Sequence, residues 1–176
     1  FGDGKSSTEI NPTHTFDSVK TYNVYLKAIS NYGCVDSTEH PAIVNPLPNV
    51  SFTHTNVCDT SALPFTNTST ISSGAIDSYS WNFGDNNTAT TTNASNTYSS
   101  YGEYDVVLTA TSDSGCVDSS YNEVKVYRRA AVDFISDTAC YGDIINLTNK
   151  TFTEQDSTVY TWSLGNAAST TELNPV

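Results

Sequence analysis

The fold of this chain is decided by residues 79–86, which read YSWNFGDN. Alternation along a strand places Trp81 and Phe83 on one face and the polar residues between them on the other. The Gly-Asp-Asn that follows predicts a tight turn, because these residues tolerate the backbone angles that turns require. We therefore expect a strand with one apolar face, ending in a turn at residues 84–86.

This pattern recurs along the chain at an almost constant interval. The sequence GCVDS occurs at residues 33–37 and again at 115–119, a shift of 82 residues, and Trp81 corresponds to Trp162 at a shift of 81. The sequence therefore predicts three copies of one unit. They are a C-terminal part at 1–47, a complete unit at 48–129 and an N-terminal part at 130–176.

The composition favours strands and turns over helices. Met is absent, and no segment has the 3.6-residue apolar period of an amphipathic helix. The formal net charge is −12, which argues against nucleic acid and anionic membranes as direct ligands. We expect an all-β protein with strands at 49–53, 63–67, 76–83, 103–111 and 121–127, and a weak edge strand or loop at 88–97.

Two motifs of the complete unit resemble those of the PKD domain, an immunoglobulin-like β-sandwich. Residues 81–85 (WNFGD) are similar to the family's W-x-F-G-D-G, and residues 98–108 (YSSYGEYDVVL) to its Y-x-x-x-G-x-Y-x-V-x-L. In the complete unit, Asn86 replaces the last Gly of the first motif. In the first copy, Lys20 replaces the Gly of the second motif. The resemblance implies tandem PKD-type sandwiches in an extracellular setting and does not imply one activity.

The four cysteines extend the resemblance. Their places in the units are similar to those in very large surface proteins of Bacteroidota, which include gliding-motility adhesins. Because Cys58 and Cys116 occupy complementary places in the one complete unit, we predict that they pair. Cys34 and Cys140 would then pair with segments outside residues 1–176 or with other copies of the chain. The competing pairing joins Cys34 to Cys58 across the joint Pro46-Leu47-Pro48.

No catalytic motif occurs in the sequence, so we predict that the chain is not an enzyme. Asp3 and Asp85 recur in the turn after the central strand, where a carboxylate commonly caps the turn. Calcium is the alternative interpretation of these two residues, since oxygen-rich loops suit hard cations. No other cofactor or metal is expected, and the three histidines do not recur between copies.

Other side chains could contact a surface or carry a modification. Trp81 and Trp162 could stack on sugars, but their place in a repeated strand favours the core. The tyrosines at 25, 32, 101 and 121 are weaker candidates for a contact surface. Asp-Ser/Thr-x triplets similar to the O-glycosylation motif of Bacteroidota mark four candidate residues: Ser18, Ser37, Thr138 and Ser157.

These features lead to two hypotheses about function. The first is a non-catalytic segment of an extended stalk or surface filament in a large cell-surface adhesin, in the manner of gliding-motility proteins. The alternative is an accessory module of a secreted hydrolase, which positions a substrate or binds carbohydrate. Expected partners are neighbouring repeats, further copies in a fibre, and surface glycans or proteins, without nucleic acid or membrane insertion.

The two partial units are complementary. Residues 130–176 supply the early strands of a unit and residues 1–47 supply the late ones. Each part alone would expose strand edges and an apolar face. We therefore predict that the parts complete one sandwich, either between successive molecules or within a continuous fibre.

Overall fold

The structure, a computed structural model, describes residues 1–153, 158–164 and 169–175. As predicted, the protein is all-β: every regular element in these residues is a strand. Within the same residues, no helix is long and apolar enough to cross a membrane. The strands are β1 (Thr21–Ile29), β2 (Val35–Ile43), β3 (Phe52–His54), β4 (Val57–Cys58), β5 (Ala62–Asn67), β6 (Ile76–Asn82), β7 (Thr88–Ala89), β8 (Ala94–Thr97), β9 (Gly102–Ser112), β10 (Val117–Tyr127), β11 (Phe134–Ser136), β12 (Leu147–Asn149), β13 (Trp162–Ser163) and β14 (Ser169–Thr170).

Strands β3 to β10 form a two-layer sandwich in the middle of the chain. One sheet has five strands in the order β4-β10-β9-β6-β7, and the other has three in the order β3-β5-β8. Strand β4 runs parallel to β10, whereas the other pairs are antiparallel. This arrangement is the predicted immunoglobulin-like sandwich, in which each sheet buries one face against the other.

Trp81 lies at the centre of the core, as residues 79–86 predict. Its side chain and that of Phe83 are buried, while Ser80 and Asn82 on the other face are exposed. Phe52 from the opposite sheet meets the indole edge-on, with ring centroids 5.2 Å apart. The remaining buried core residues are Val50, Leu63, Phe65, Tyr98, Val106, Leu108, Ala110, Val124 and Val126.

The edges of the sheets differ from the sequence-based expectation. The polar stretch 88–97 contains two short strands, β7 and β8, which extend different sheets. Strand β4 was not predicted; it is two residues long, and its place depends on parallel pairing with β10. Two residues are too few for a period-2 pattern to be recognised, so this strand exists only through its tertiary partner.

The chain enters and leaves this sandwich at opposite ends. The chain enters at Asn49, which forms a β-bridge with Thr70. At the same end, the amide of Asp113, which follows β9, donates a hydrogen bond to the Ala75 carbonyl at 2.9 Å. We call this end, formed by residues 49–50, 70–75 and 113–116, the entry pole. At the exit pole, formed by residues 58–61, 98–101 and 127–129, the Asp59 amide donates to the Tyr127 carbonyl at 2.8 Å. The ten residue steps of β10 separate the poles by about 33 Å.

Contacts of the middle unit recur on either side of it. Hairpin β1–β2 pairs Leu26 with Thr38, in the register that joins Leu108 to Ser120 in β9–β10. In the third part the Trp162 Nε1–H donates to the Glu172 carbonyl at 2.9 Å, the same distance as from Trp81 to the Thr91 carbonyl. These equivalences agree with the repeat, while the unit boundaries 1–47, 48–129 and 130–176 remain predictions.

Candidate functional site

The turn after the central strand holds Asp85 in a network of amide donors. The Asn87 amide donates to Oδ1 at 3.0 Å, and its side chain donates to Oδ2 at 2.9 Å. Oδ2 also accepts from Asn96 Nδ2 at 2.7 Å, and Asn96 is buried. Asn86 has a φ of 72°, a left-handed conformation that Asn adopts more easily than most residues. This explains how Asn86 can stand where the PKD motif has Gly.

The first copy builds the same turn with a different partner. The Asp3 Oδ1 accepts from the Lys5 amide at 3.0 Å, and Oδ2 lies 2.7 Å from His14 Nε2. His14 therefore occupies the position that Asn96 has in the middle unit. Phe1 stacks on the imidazole with centroids 4.1 Å apart, and both members of the Asp3–His14 pair are 13% exposed. The hydrogen bond from His14 is the main reason why the pKa of Asp3 falls to about 2.

These networks favour a structural role for both carboxylates. Their oxygens already accept hydrogen bonds from protein N–H groups, and a calcium ion would need such oxygens free and several more beside them. No cluster of three or more His, Cys, Asp or Glu side chains suited to a metal occurs among the described residues. Calcium binding by Asp3 or Asp85 stays a prediction that nothing in these contacts supports.

The predicted Cys58–Cys116 disulfide is wrong in this geometry. Cys58 pairs with Tyr127 at the exit pole, whereas Cys116 precedes β10 at the entry pole. A disulfide requires Cα atoms less than about 7 Å apart, and β10 separates these positions by about 33 Å. All four cysteines are free thiols, and Cys34, Cys58 and Cys140 are exposed. The prediction assumed that two cysteines in one unit lie close together. Whether they do depends on the direction of the strands that carry them.

The candidate glycosylation residues have different surroundings. Ser37 and Thr138 are exposed, as an acceptor hydroxyl must be. The Ser18 hydroxyl lies 2.8 Å from the Tyr22 hydroxyl, which also donates to the Ser18 carbonyl at 3.0 Å. Ser157 lies outside the described residues. Modification at any of these positions stays a prediction.

The candidate contact tyrosines lie apart from one another. Tyr32 is 89% exposed in the β1–β2 turn, and Tyr121 is 68% exposed on the outer face of β10. Beside Tyr121 is a shallow depression of about 610 Å³ on the outer face of β9 and β10, lined also by Asp105, Val107, Ser119 and Ser120. Tyr25 and Tyr101 are also exposed, whereas Trp81 is fully buried and so is excluded as a sugar platform.

Arg128 and Arg129, at the short joint after the middle unit, make contacts at the exit pole that the sequence does not predict. The Arg129 amide donates to Asp59 Oδ1 at 3.0 Å, and Arg129 Nη2 donates to the Asp59 carbonyl at 3.2 Å. The Arg128 guanidinium lies 5.3 Å from the Tyr101 ring centroid and 4.7 Å from that of Phe152. It therefore connects the middle unit to the third part. The two arginines of the chain stand side by side at a unit boundary, which was the available signal.

Similarity to known proteins follows the same division of the chain. The family model described as "PKD domain" matches residues 43–126, which span the middle sandwich almost completely. The middle unit is of the PKD type. Hairpin β1–β2 and residues 131–175 lie largely outside this match, and their likeness to the middle unit is in the contacts described above.

Three solved structures are similar to parts of the chain. The PKD1 domain of Vibrio anguillarum Epp is 27% identical, with 48% of this chain and 99% of that one covered and a TM-score of 0.45. The PKD1 domain of the Vibrio cholerae metalloprotease PrtV is 32% identical, with coverages of 47% and 98% and a TM-score of 0.40. A structure of carbohydrate-binding modules from the β-sandwich superfamily is 20% identical, with coverages of 60% and 54% and a TM-score of 0.47.

Proposed function

We propose that this chain is a non-catalytic spacer, a segment of an extracellular stalk or surface filament in which PKD-type units follow one another end to end. In its most specific form, the stalk belongs to a large cell-surface adhesin of the gliding-motility kind. The observation that carries the proposal is the placement of entry and exit at opposite poles of the middle unit. A chain that enters at one end and leaves at the other adds each unit along a single axis.

The joint after the middle unit supports this proposal. A spacer must limit swing between units, and a short linker with specific contacts does so better than a flexible one. Arg129 is held by the backbone and carboxylate of Asp59, while the Arg128 guanidinium contacts the rings of both Tyr101 and Phe152. Stacking of a guanidinium on two rings contributes about 0.5–2 kcal/mol per contact, depending on desolvation.

The test is small-angle X-ray scattering of the 176-residue chain and of an Arg128→Ala/Arg129→Ala variant. We expect the unchanged chain to be elongated, with the variant showing a broader distribution of maximum dimensions because its joint is released. Lys27→Ala is the control, since Lys27 lies in β1, away from the joint, and also removes one positive charge. A compact particle, or an Arg variant with the same profile as the unchanged chain, would contradict the proposal.

A second candidate function is carbohydrate contact on the outer face of the five-stranded sheet. The exposed Tyr121 ring beside two serine hydroxyls is a surface on which a sugar could stack and form hydrogen bonds. As an accessory module of a secreted hydrolase, the unit would hold polysaccharide by this face. Glycan-array binding that is lost in Tyr121→Ala and kept in Tyr32→Ala would support this function; an array without binding would remove it.

A further inference from the structure

The joint after the middle unit contains both arginines of the chain, Arg128 and Arg129. Both residues are exposed to solvent, and strand β10 has already ended at Tyr127. A cut after Arg129 would therefore separate the middle unit from the third part without breaking any strand of the sandwich. Exposed basic residues between folded units are a place where an arginine-specific endopeptidase can reach the chain.

Access alone does not permit cleavage, because an endopeptidase binds its substrate as an extended strand with the arginine side chain in a pocket. In this chain the amide and the guanidinium of Arg129 are already engaged. The amide donates to Asp59 Oδ1 at 3.0 Å, and Nη2 donates to the Asp59 carbonyl at 3.2 Å and to Ser61 Oγ at 3.3 Å. We call Asp59, Thr60 and Ser61, with the bound Arg129, the latch.

The turn that carries the latch is strained. Thr60 has a φ of 60°, in the left-handed region that a β-branched residue rarely adopts. The Thr60 amide donates to the Tyr98 carbonyl at 2.8 Å, and the Ser61 amide donates to the Cys58 carbonyl at 3.2 Å. Strain of this kind persists only where the surrounding contacts impose it, and it is concentrated at functional sites. The turn thus holds Asp59 and Ser61 in place around the arginine.

The corresponding turn of the third part is relaxed and lacks the receptor. Residues 140–143 form this turn, 82 residues later in the chain. There Gly142, with a φ of 95°, takes the place of Thr60, and Tyr141, which is 108% exposed, takes the place of Asp59. Glycine adopts a positive φ without steric cost. The strained residue and the carboxylate that binds arginine therefore occur together in the middle unit.

The joint before the middle unit is protected in a different way. It has Pro46-Leu47-Pro48 at the positions of Arg128-Arg129-Ala130. Both prolines are buried, and proline has neither a backbone N–H to pair with an enzyme nor freedom to change φ. Of these two corresponding joints, only the one after the middle unit has a sequence that an arginine-specific enzyme recognises, and that joint has the latch.

We propose that the Arg129–Ala130 bond is a latent cleavage site for an arginine-specific endopeptidase, masked while Asp59 and Ser61 hold Arg129. The ring contacts of Arg128 restrain the preceding residue in the same way. Hydrolysis consumes one water molecule, breaks the C–N bond between Arg129 and Ala130, and leaves a carboxylate on the first and an amino group on the second. The proposal concerns where the chain can be severed, and it applies to a stalk and to an accessory module alike.

The test is digestion of the folded 176-residue chain with an arginine-specific endopeptidase, followed over time by mass spectrometry. Because the chain has only two arginines, all cleavage reports on this joint, and a cut after Arg129 gives fragments 1–129 and 130–176. A synthetic peptide of residues 124–134 has the same sequence without the latch. We expect the folded chain to be cut at least about a hundredfold more slowly than the peptide, because the joint must first open.

Variants of the latch identify the contacts that mask the bond. Asp59→Ala should raise the cleavage rate of the chain by about tenfold or more, since it removes a hydrogen bond to a charged group. Ser61→Ala removes a neutral acceptor and should raise the rate by about two- to fivefold. Asp77→Ala is the matched control: Asp77 is an exposed carboxylate in β6 of the same unit, away from the exit pole, and its variant should be cut at the rate of the unchanged chain.

Thermal unfolding of each variant, followed by circular dichroism, distinguishes an opened latch from an unfolded chain. A folded chain that is cut as fast as the peptide would overturn the proposal, and so would a folded Asp59→Ala variant that is cut no faster than Asp77→Ala. If Asp59→Ala does not fold, the same comparison is made with Ser61→Ala. The scattering test reads the shape of the joint and not its cleavage, so each proposal can fail while the other stands.

Discussion

Trp81 and Trp162 occupy corresponding positions in successive copies and make the same local contacts, but their side chains differ in burial. Each donates its indole N–H to a carbonyl ten residues later at 2.9 Å, and each meets a Phe edge-on at 5.1–5.2 Å. Trp81 is nevertheless fully buried, whereas Trp162 is partly exposed. The difference is the cover provided by β9 and β10, which come 20 or more residues later in the chain. Half a unit is thus enough to form the indole hydrogen bond and the contact with Phe, whereas burial of the Trp side chain requires the strands of the other half.

The largest expected effect comes from removing each indole. Trp81→Ala should cost the middle unit about 3–5 kcal/mol, the usual cost of emptying a large buried aromatic site. This is much of the stability of a typical domain, which is about 5–15 kcal/mol. Trp162→Ala should leave unfolding of the middle unit unchanged, because the contacts of Trp162 with Phe134 and Glu172 lie in the third part. Urea unfolding followed by circular dichroism measures both.

The comparison would fail if Trp162→Ala destabilised the middle unit as much as Trp81→Ala. Such a result would mean that the third part and the middle unit share one cooperative core. Trp81→Phe is a useful companion variant, because it keeps an aromatic ring and loses only part of the volume and the indole hydrogen bond.

A smaller effect is expected at the glycines of the central turn. A Cβ built on Gly84 would lie 2.8 Å from the Asp105 carbonyl oxygen, and one on Gly2 would lie 2.6 Å from that of Asn23. Both have positive φ, so Gly84→Ala should cost the middle unit about 2–4 kcal/mol through strain and collision. Gly115→Ala is the control: its φ is also positive, at 77°, but no atom lies within 4 Å of the added Cβ. It should cost about 1–2 kcal/mol.

Thermal unfolding of the three variants measures this series. Gly2→Ala should alter only the first part and leave the melting of the middle unit in place. Equal losses for Gly84→Ala and Gly115→Ala would show that backbone strain alone, and not the close approach of strand β9, sets the requirement for glycine.

The smallest effect concerns the turn networks at low pH. The pKa of Asp3 is lowered to about 2, chiefly by the hydrogen bond from His14, from an ordinary value of 3.8. A lowered pKa in the folded state means that the pair stabilises the turn fully above about pH 4 and that this contribution disappears as the pH falls through 2. In His14→Asn, which copies the Asp85–Asn96 arrangement, the pKa of Asp3 should rise toward its ordinary value.

Carbon-detected NMR titration of the Asp3 carboxyl group measures this pKa directly. His40→Asn is the matched control, since His40 lies in β2 and does not contact the turn. An unchanged Asp3 titration in His14→Asn would show that the Lys5 amide, and not the imidazole, holds the pKa down.

Much of the middle sandwich could be predicted from the sequence because its strands carry a period-2 pattern. Val106, Leu108 and Ala110 stand at every second position of β9, as Val124 and Val126 do in β10, and all five are buried. The position of strand β4 and the relative positions of Cys58 and Cys116 could not be predicted from such a pattern. Both depend on which segments lie side by side and in which direction they run, and no local pattern records that.

The sequence by itself determined the repeat, the strand faces and the turn with its glycine and carboxylate, since each follows from neighbouring side chains and backbone angles. Only the tertiary structure decided where the cysteines lie, because strand β10 places Cys58 and Cys116 at opposite poles. It also decided which residues Arg128 and Arg129 contact at the boundary between the middle unit and the third part. The physical reason is range: alternation and turn chemistry act over a few residues, whereas burial and proximity depend on strands that meet across the whole unit.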